Sequence, residues 1–208
     1  MNDIRNLTFH PLTPVNWKDL EKLFGPRGAC GGCWCMSWRI KRSDFMKQRG
    51  EENRKAFKRS VDSGESLGII AYADGEPVGW CSFGPREDFP RLEHSRVLKR
   101  LDEKPVLSVV CFYIAKAFRR KSASVALLRA VEGYALSKGV KILEGYPTDS
   151  KTGLMPDPFV HTGLVQAFVK AGFTEAMRRS RTRPIMRKTV MPKKEELEHT
   201  RSSSGQSN

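Results

Sequence analysis

The spacing of hydrophobic positions changes several times along the chain, and each change marks an element. Trp17, Leu20, Leu23 and Phe24 recur at helical spacing, with Thr13-Pro14 as a start signal and Gly25-Pro26 as a stop, so a first helix is predicted from Thr13. Arg5 to Phe9 precedes it as a short strand. Ser43 to Val61 sets Phe45, Phe57 and Val61 among Lys, Arg and Glu, which predicts one amphipathic helix ended by Gly64. The runs LGIIAY and PVGWCSF then flank Asp74-Gly75, the residues of a tight turn, and predict a hairpin. Gly84 to Lys104 carries Pro85, Pro90 and many charges and reads as a loop with a helical piece around Glu93 to Lys99.

The continuous run VLSVVCFYIA, Val106 to Ala115, has the composition of a strand buried on both faces. Ser122 to Lys138 places Leu127, Leu128, Val131, Tyr134 and Ala135 on one helical stripe and stops at Gly139. VKILEGY follows as a strand, so strand, helix and strand make a right-handed parallel crossover. A Pro, Gly and Asp-rich connection leads to a helix around Leu164 to Ala171, and strands near Phe173 to Arg178 and Pro184 to Thr189 close the sheet. The expected organisation is one domain over residues 1–190 and a polar, disordered tail over 191–208.

A buried strand running through a basic loop into a helix start is a ready anion site, because free amides and the helix dipole face the ligand together. Here the junction reads FRRKSASVALL. Arg119, Arg120 and Lys121 put positive charge beside the amides of Lys121 to Ser124, which suits a pyrophosphate; a plain solvated basic turn would read the same way.

The longer stretch CFYIAKAFRRKSASVALLRAVEGYALSKGVKILEGYP resembles the central acetyl-CoA segment of the GNAT N-acyltransferases, and AFVKAGF resembles their Tyr-x-x-x-Gly-Phe segment. The family pattern Val-x-Pro-x-Tyr-Arg-x-x-Gly-x-Gly/Ala falls on Ile114, Phe118, Arg119, Ser122 and Ser124. The resemblance implies an α/β (α+β) fold: a mixed, mostly antiparallel sheet of about six or seven strands with helices on both faces. It also implies acetyl-CoA as cosubstrate, an amine acceptor, and direct attack of the amine on the thioester. Phe112, Tyr113 and Ile114 would hold the acetyl group through strand amides, and Arg119, Arg120, Lys121, Ser122, Ala123 and Ser124 the pyrophosphate. Ser122 and Ser124 depart from the family's small residues; a right-handed backbone at Ser122 is expected, because there serine fits without strain. Phe168 stands where many members carry the tyrosine that protonates the departing thiolate.

A neutral amine needs a general base. Glu144, in the fifth strand, is the first candidate and His161, ahead of the last helix, the second; a salt-bridged carboxylate and a surface histidine are the plain alternatives. The segment CGGCWCMSW packs Cys30, Cys33, Cys35, Trp34, Met36 and Trp38 into nine residues. One Cys-x-x-Cys knuckle without a second is poor evidence for zinc, so no metal is expected. A similar Cys/Trp segment occurs in a subset of GNAT-like proteins, beside the acceptor site, which implies that Trp34, Met36 and Trp38 shape acceptor choice.

Charge adds a runner-up. The 208 residues include 37 Lys and Arg against 23 Asp and Glu, a formal +14, which favours polyanionic partners. Basic clusters such as Arg178 to Arg183 keep a nucleic-acid-binding module as the alternative, although aromatics are not interleaved with them in a recognition pattern. A catalytically lapsed chain with a thiol or zinc role is another. No apolar run approaches the roughly 20 residues that span a bilayer, so no membrane partner is expected. Five cysteines and the absence of a basic-then-apolar leader point to the reducing cytoplasm. The sequence is also compatible with a homodimer.

Overall fold

The computed structural model describes residues 6–149 and 161–191. The expected tail after Met191 and most of the Pro, Gly and Asp-rich connection lie outside the described residues. The strands are β1 (Thr8–Pro11), β2 (Gly68–Ala73), β3 (Glu76–Pro85), β4 (Leu107–Ile114), β5 (Ile142–Gly145), β6 (Thr174–Arg178) and β7 (Pro184–Thr189). They form one sheet in the order β1-β2-β3-β4-β5-β7-β6. Among the described strands β4 and β5 run parallel, across the crossover helix, and the other neighbours are antiparallel. This is the mixed, mostly antiparallel sheet that the resemblance implied.

The helices are α1 (Trp17–Phe24), α2 (Arg42–Lys47), α3 (Glu51–Asp62), α4 (Pro90–Glu93), α5 (Ala123–Ser137) and α6 (Val165–Lys170). One core joins α1, α3, α4 and the Cys/Trp segment to one sheet face; the other joins α5 and α6 to the opposite face. Several boundaries differ from the sequence reading: the first strand runs Thr8–Pro11 rather than Arg5 to Phe9, β3 continues to Pro85, and three helix boundaries move for a local reason. Asn16 accepts the Thr13 amide at 2.7 Å and donates to the Pro11 carbonyl, so residues 13–16 turn and the first helix starts at Trp17. The single helix expected over Ser43 to Val61 breaks in two where Gly50 adopts φ 88°. The helical piece of the charged loop starts at Pro90, whose fixed φ suits a first turn, and ends at Glu93.

One irregularity shapes the centre of the sheet. The β3–β4 register moves from Phe83↔Val109 to Ser82↔Cys111, leaving Val110 as an extra residue on β4. Val110 and Cys111 therefore both face the first core, whereas Val109 and Phe112 face the second. A bulge of this kind bends its strand and ends regular pairing. Accordingly β4 pairs with β5 only over Leu107–Val109 and Leu143–Gly145, and beyond them the two strands separate.

Candidate active site

The separation of β4 and β5 creates a gap lined by backbone. Ala115 donates to the Val78 carbonyl across β3–β4 at 2.9 Å, so alternation turns the amides of Phe112 and Ile114 away from β3 and into the gap. The segment from His161 to Leu164 enters this gap from the other side. The Phe112 amide donates to the His161 carbonyl at 2.6 Å, and the Thr148 amide donates to the Gly163 carbonyl at 2.8 Å. Of the two gap-facing amides, that of Ile114 has no acceptor among the described residues, while the Ile114 carbonyl accepts Arg119 Nε at 2.8 Å. Tyr113 points to the other side, with its ring against Phe24.

Phe168 closes the floor. It is fully buried, edge-on to Phe112 and Phe173. A Cβ at Gly145 would lie 2.1 Å from its ring and one at Gly163 2.9 Å, so both positions require glycine for this packing. The ring carries no proton to give, and it is sealed from solvent.

Just beyond Ile114 the chain turns into α5 through Arg119–Ser122. Arg120 and Ser122 both take left-handed angles, φ 59° and φ 63°, against the right-handed backbone expected at Ser122. The expectation assumed that serine would avoid strain; the turn into the helix instead needs a positive φ, and serine bears its cost. Among the described residues the amides of Lys121, Ser122, Ala123 and Ser124 have no acceptor, while the Ser122 carbonyl already takes the Val125 and Ala126 amides. Arg120 and Lys121 are exposed beside them, with Lys121 Nζ 5.9 Å from the Phe118 ring centroid. Four free amides, a helix start and exposed cations thus stand together just beyond Ile114, the arrangement that anion binding calls for.

Residues 34–150, more than half of the chain, match the family described as Acetyltransferase (GNAT) family. The chain belongs to the GNAT acetyltransferase family. A comparison with curated proteins gave no match. Solved structures share the fold at low identity. A putative GNAT acetyltransferase from Desulfovibrio desulfuricans superposes with a TM-score of 0.51 at 13% identity, covering 89% of this chain and 99% of that one. A GNAT acetyltransferase from Listeria monocytogenes 4b F2365 gives 0.55 at 11% identity, covering 88% and 95%. The PaiA N-acetyltransferase from Thermoplasma acidophilum, solved in complex with coenzyme A, gives 0.50 at 15% identity, covering 88% and 99%.

Not all the residues singled out in the sequence of this GNAT acetyltransferase meet at the gap. Glu144 is fully buried and engaged on both oxygens: Arg86 donates at 2.9 Å, Tyr146 at 2.6 Å and Arg187 at 2.6 Å. Ser108 and Tyr146 share a further hydrogen bond of 2.8 Å. Burial works against the Arg86 charge, but Tyr146, Glu144 and Glu93 outweigh it and hold its pKa above the ordinary value. Burial and Glu144 push the Tyr146 hydroxyl up. Arg86 also pairs with Glu93 and Arg187 with Asp102, but taking a substrate proton at Glu144 would still break two buried ion pairs, so the expectation of Glu144 as base meets an adverse geometry. The sequence could not reveal this network, because Arg86 and Glu144 are 58 residues apart. His161 stands at the gap itself, with its ring centroid 6.4 Å from that of Trp38.

Within the Cys/Trp segment, Trp34 is buried between Trp17 and Phe24 at 6.1 and 5.6 Å, and Met36 and Trp38 lie in the same core. The Trp38 ring also stands against that of His161. Cys35 and Cys111 face one another in the core, and Trp80 Nε1 donates to Cys35 Sγ at 2.9 Å. Among the described residues no group of three or more His, Cys, Asp or Glu is arranged to hold a metal ion.

Proposed function

We propose that this chain is an N-acetyltransferase that moves the acetyl group of acetyl-CoA to an amine by direct attack. The observation that carries the reading is the run of four unpaired amides at the start of α5, beside Arg120 and Lys121, at the open end of the β4–β5 gap. Those amides and charges suit the pyrophosphate. The Ile114 amide, pointing into the gap without an acceptor, is the donor that stabilises negative charge developing on the acetyl oxygen. His161 is the better base on position, since it borders the gap while Glu144 is locked in an ion network. With Phe168 in place of a phenol, the thiolate leaves unassisted, which a thiol pKa of about 8.5 allows. A reducing cytosol suits the five free cysteines.

Isothermal titration with acetyl-CoA tests the cradle. The parent protein should bind, and Arg120→Ala or Lys121→Ala should bind more weakly, with a loss that shrinks as salt is raised. Equal binding by all three proteins sinks the assignment. Two observations favour a second reading, a fold that binds acetyl-CoA without turnover: the Phe112 amide is already bonded to His161, and Ser122 is strained. Binding without release of CoA in the presence of any amine would carry that reading.

A further inference from the structure

The fold pairs most of the arginines that it withdraws from water. Arg86 and Arg187 both meet Glu144, and Arg39 lies 3.7 Å from Asp88. Two partly buried arginines break the pattern. Arg91 donates Nη1 to the Ser37 carbonyl at 2.6 Å and stacks over the Trp38 ring at 5.2 Å, with the charge of Arg42 nearby. Arg183 keeps a buried Nε without an acceptor. Among the described residues no carboxylate pairs with either. Burial holds both pKa values below the ordinary range, with Arg42 adding to the effect at Arg91. A third donor joins them: the Trp38 indole N–H is buried and unpartnered in a residue only 8% exposed.

Arg91 and Trp38 stand together beside His161, and the backbone before Arg183 is tied to the residues that border the gap. The Trp38 ring lies 6.4 Å from that of His161, whose carbonyl holds the Phe112 amide. Arg183 follows Thr182, whose carbonyl takes the Asp149 amide at 2.8 Å, and the neighbouring Thr148 is tied to Gly163. Withdrawing a guanidinium from water without a counter-charge is costly, as is burying a donor without an acceptor. Among the described residues, the feature missing beside Arg91 and Arg183 is an anionic group with several oxygen acceptors. A chain of formal charge +14 also repels a polycation.

We infer that the acceptor is an amine whose molecule also carries an oxyanion, a carboxylate or a phosphate, held by Arg91, Arg183 and the Trp38 indole. The inference rests on the acetyltransferase reading of the same site. CoA release by the full chain, followed with glycine, glutamate, O-phosphoethanolamine, glycinamide, ethanolamine and spermidine, tests it. At least one oxyanion-bearing amine should show a kcat/KM about ten-fold or more above the uncharged and polycationic members. The glycine and phosphoethanolamine arms tell carboxylate from phosphate. Arg91→Ala should raise KM for the preferred amine about ten-fold, with a smaller effect on kcat and a loss of preference over its uncharged analogue; Arg183→Ala is the second variant should the first not fold. Equal use of charged and uncharged amines, a preference for spermidine, or unchanged KM in both folded variants overturns the inference. Titration of acetyl-CoA separates the two levels. No binding defeats the acetyltransferase reading, whereas binding with no oxyanion-bearing amine turned over defeats only the acceptor class.

Discussion

Ser122 carries a strained backbone, and the strain sets the sign of its substitution. Its φ of 63° costs a residue with a Cβ about 1–2 kcal/mol, whereas glycine loses about 0.5–1 kcal/mol more chain entropy on folding. Its side chain makes no capping bond that glycine would forfeit. Ser122→Gly should therefore stabilise the fold by about 0.5–1 kcal/mol and leave acetyl-CoA affinity level or tighter, measured by thermal melting and calorimetry; a lower melting point would contradict the left-handed geometry. Glu144 behaves oppositely. Glu144→Gln removes the buried charge that Arg86 and Arg187 share while leaving them Glu93 and Asp102, at a cost of about 1–3 kcal/mol in denaturant unfolding. A stable Glu144→Gln protein that had lost the acidic limb of its rate profile would restore that carboxylate as the base. If His161 is the base, His161→Gln should lower kcat by about 100-fold or more with little change in melting temperature. Burial pushes the Cys33 thiol up to about 11, so at pH 8 only about one molecule in a thousand is thiolate there. Iodoacetamide at that pH should label exposed Cys30 well before Cys33, read by peptide mass spectrometry.

Among the elements, α6 and the β4 bulge fix the floor of the gap. The Phe168 ring fills the space left by Gly145 and Gly163 and touches Phe112 and Phe173, so a hydroxyl at its tip meets packed carbon rather than a polar partner. Phe168→Tyr should cost about 1–3 kcal/mol of stability and give no gain in kcat, by melting and steady-state rates. A faster enzyme would mean that the phenol reaches the leaving thiolate after all. The bond from the Phe112 amide to the His161 carbonyl makes a further element-level expectation. If the acetyl group is held by Ile114 alone, hydrogen exchange at Phe112 stays slow when acetyl-CoA binds; if the His161 segment must withdraw, exchange across His161–Leu164 quickens on binding.

For the molecule as a whole, the order of elements was legible in the chain. The run Val106 to Ala115, the stripe of the long helix and the Asp74-Gly75 hairpin are written in spacing and turn chemistry, and they appear as β4, α5 and the β2–β3 pair. The basic junction before α5 was equally legible, because loop composition and helix start lie within a few consecutive residues. The strand irregularity was not. A single extra residue on β4 shows only against the register of β3, and it alone decides where the strands part and which amides face the gap. Ion pairing was hidden for the same reason: Glu144 meets Arg86 and Arg187 across 58 and 43 residues, so a carboxylate that reads as a base in one dimension is a buried counter-ion in three. Nor does the sequence distinguish Arg91 and Arg183 from the other basic residues. Local physics, meaning period, turn residues and helix ends, acts between neighbours in the chain and was fixed by sequence alone. Burial, register and the pairing of charges act between neighbours in space, and only the tertiary structure decided them.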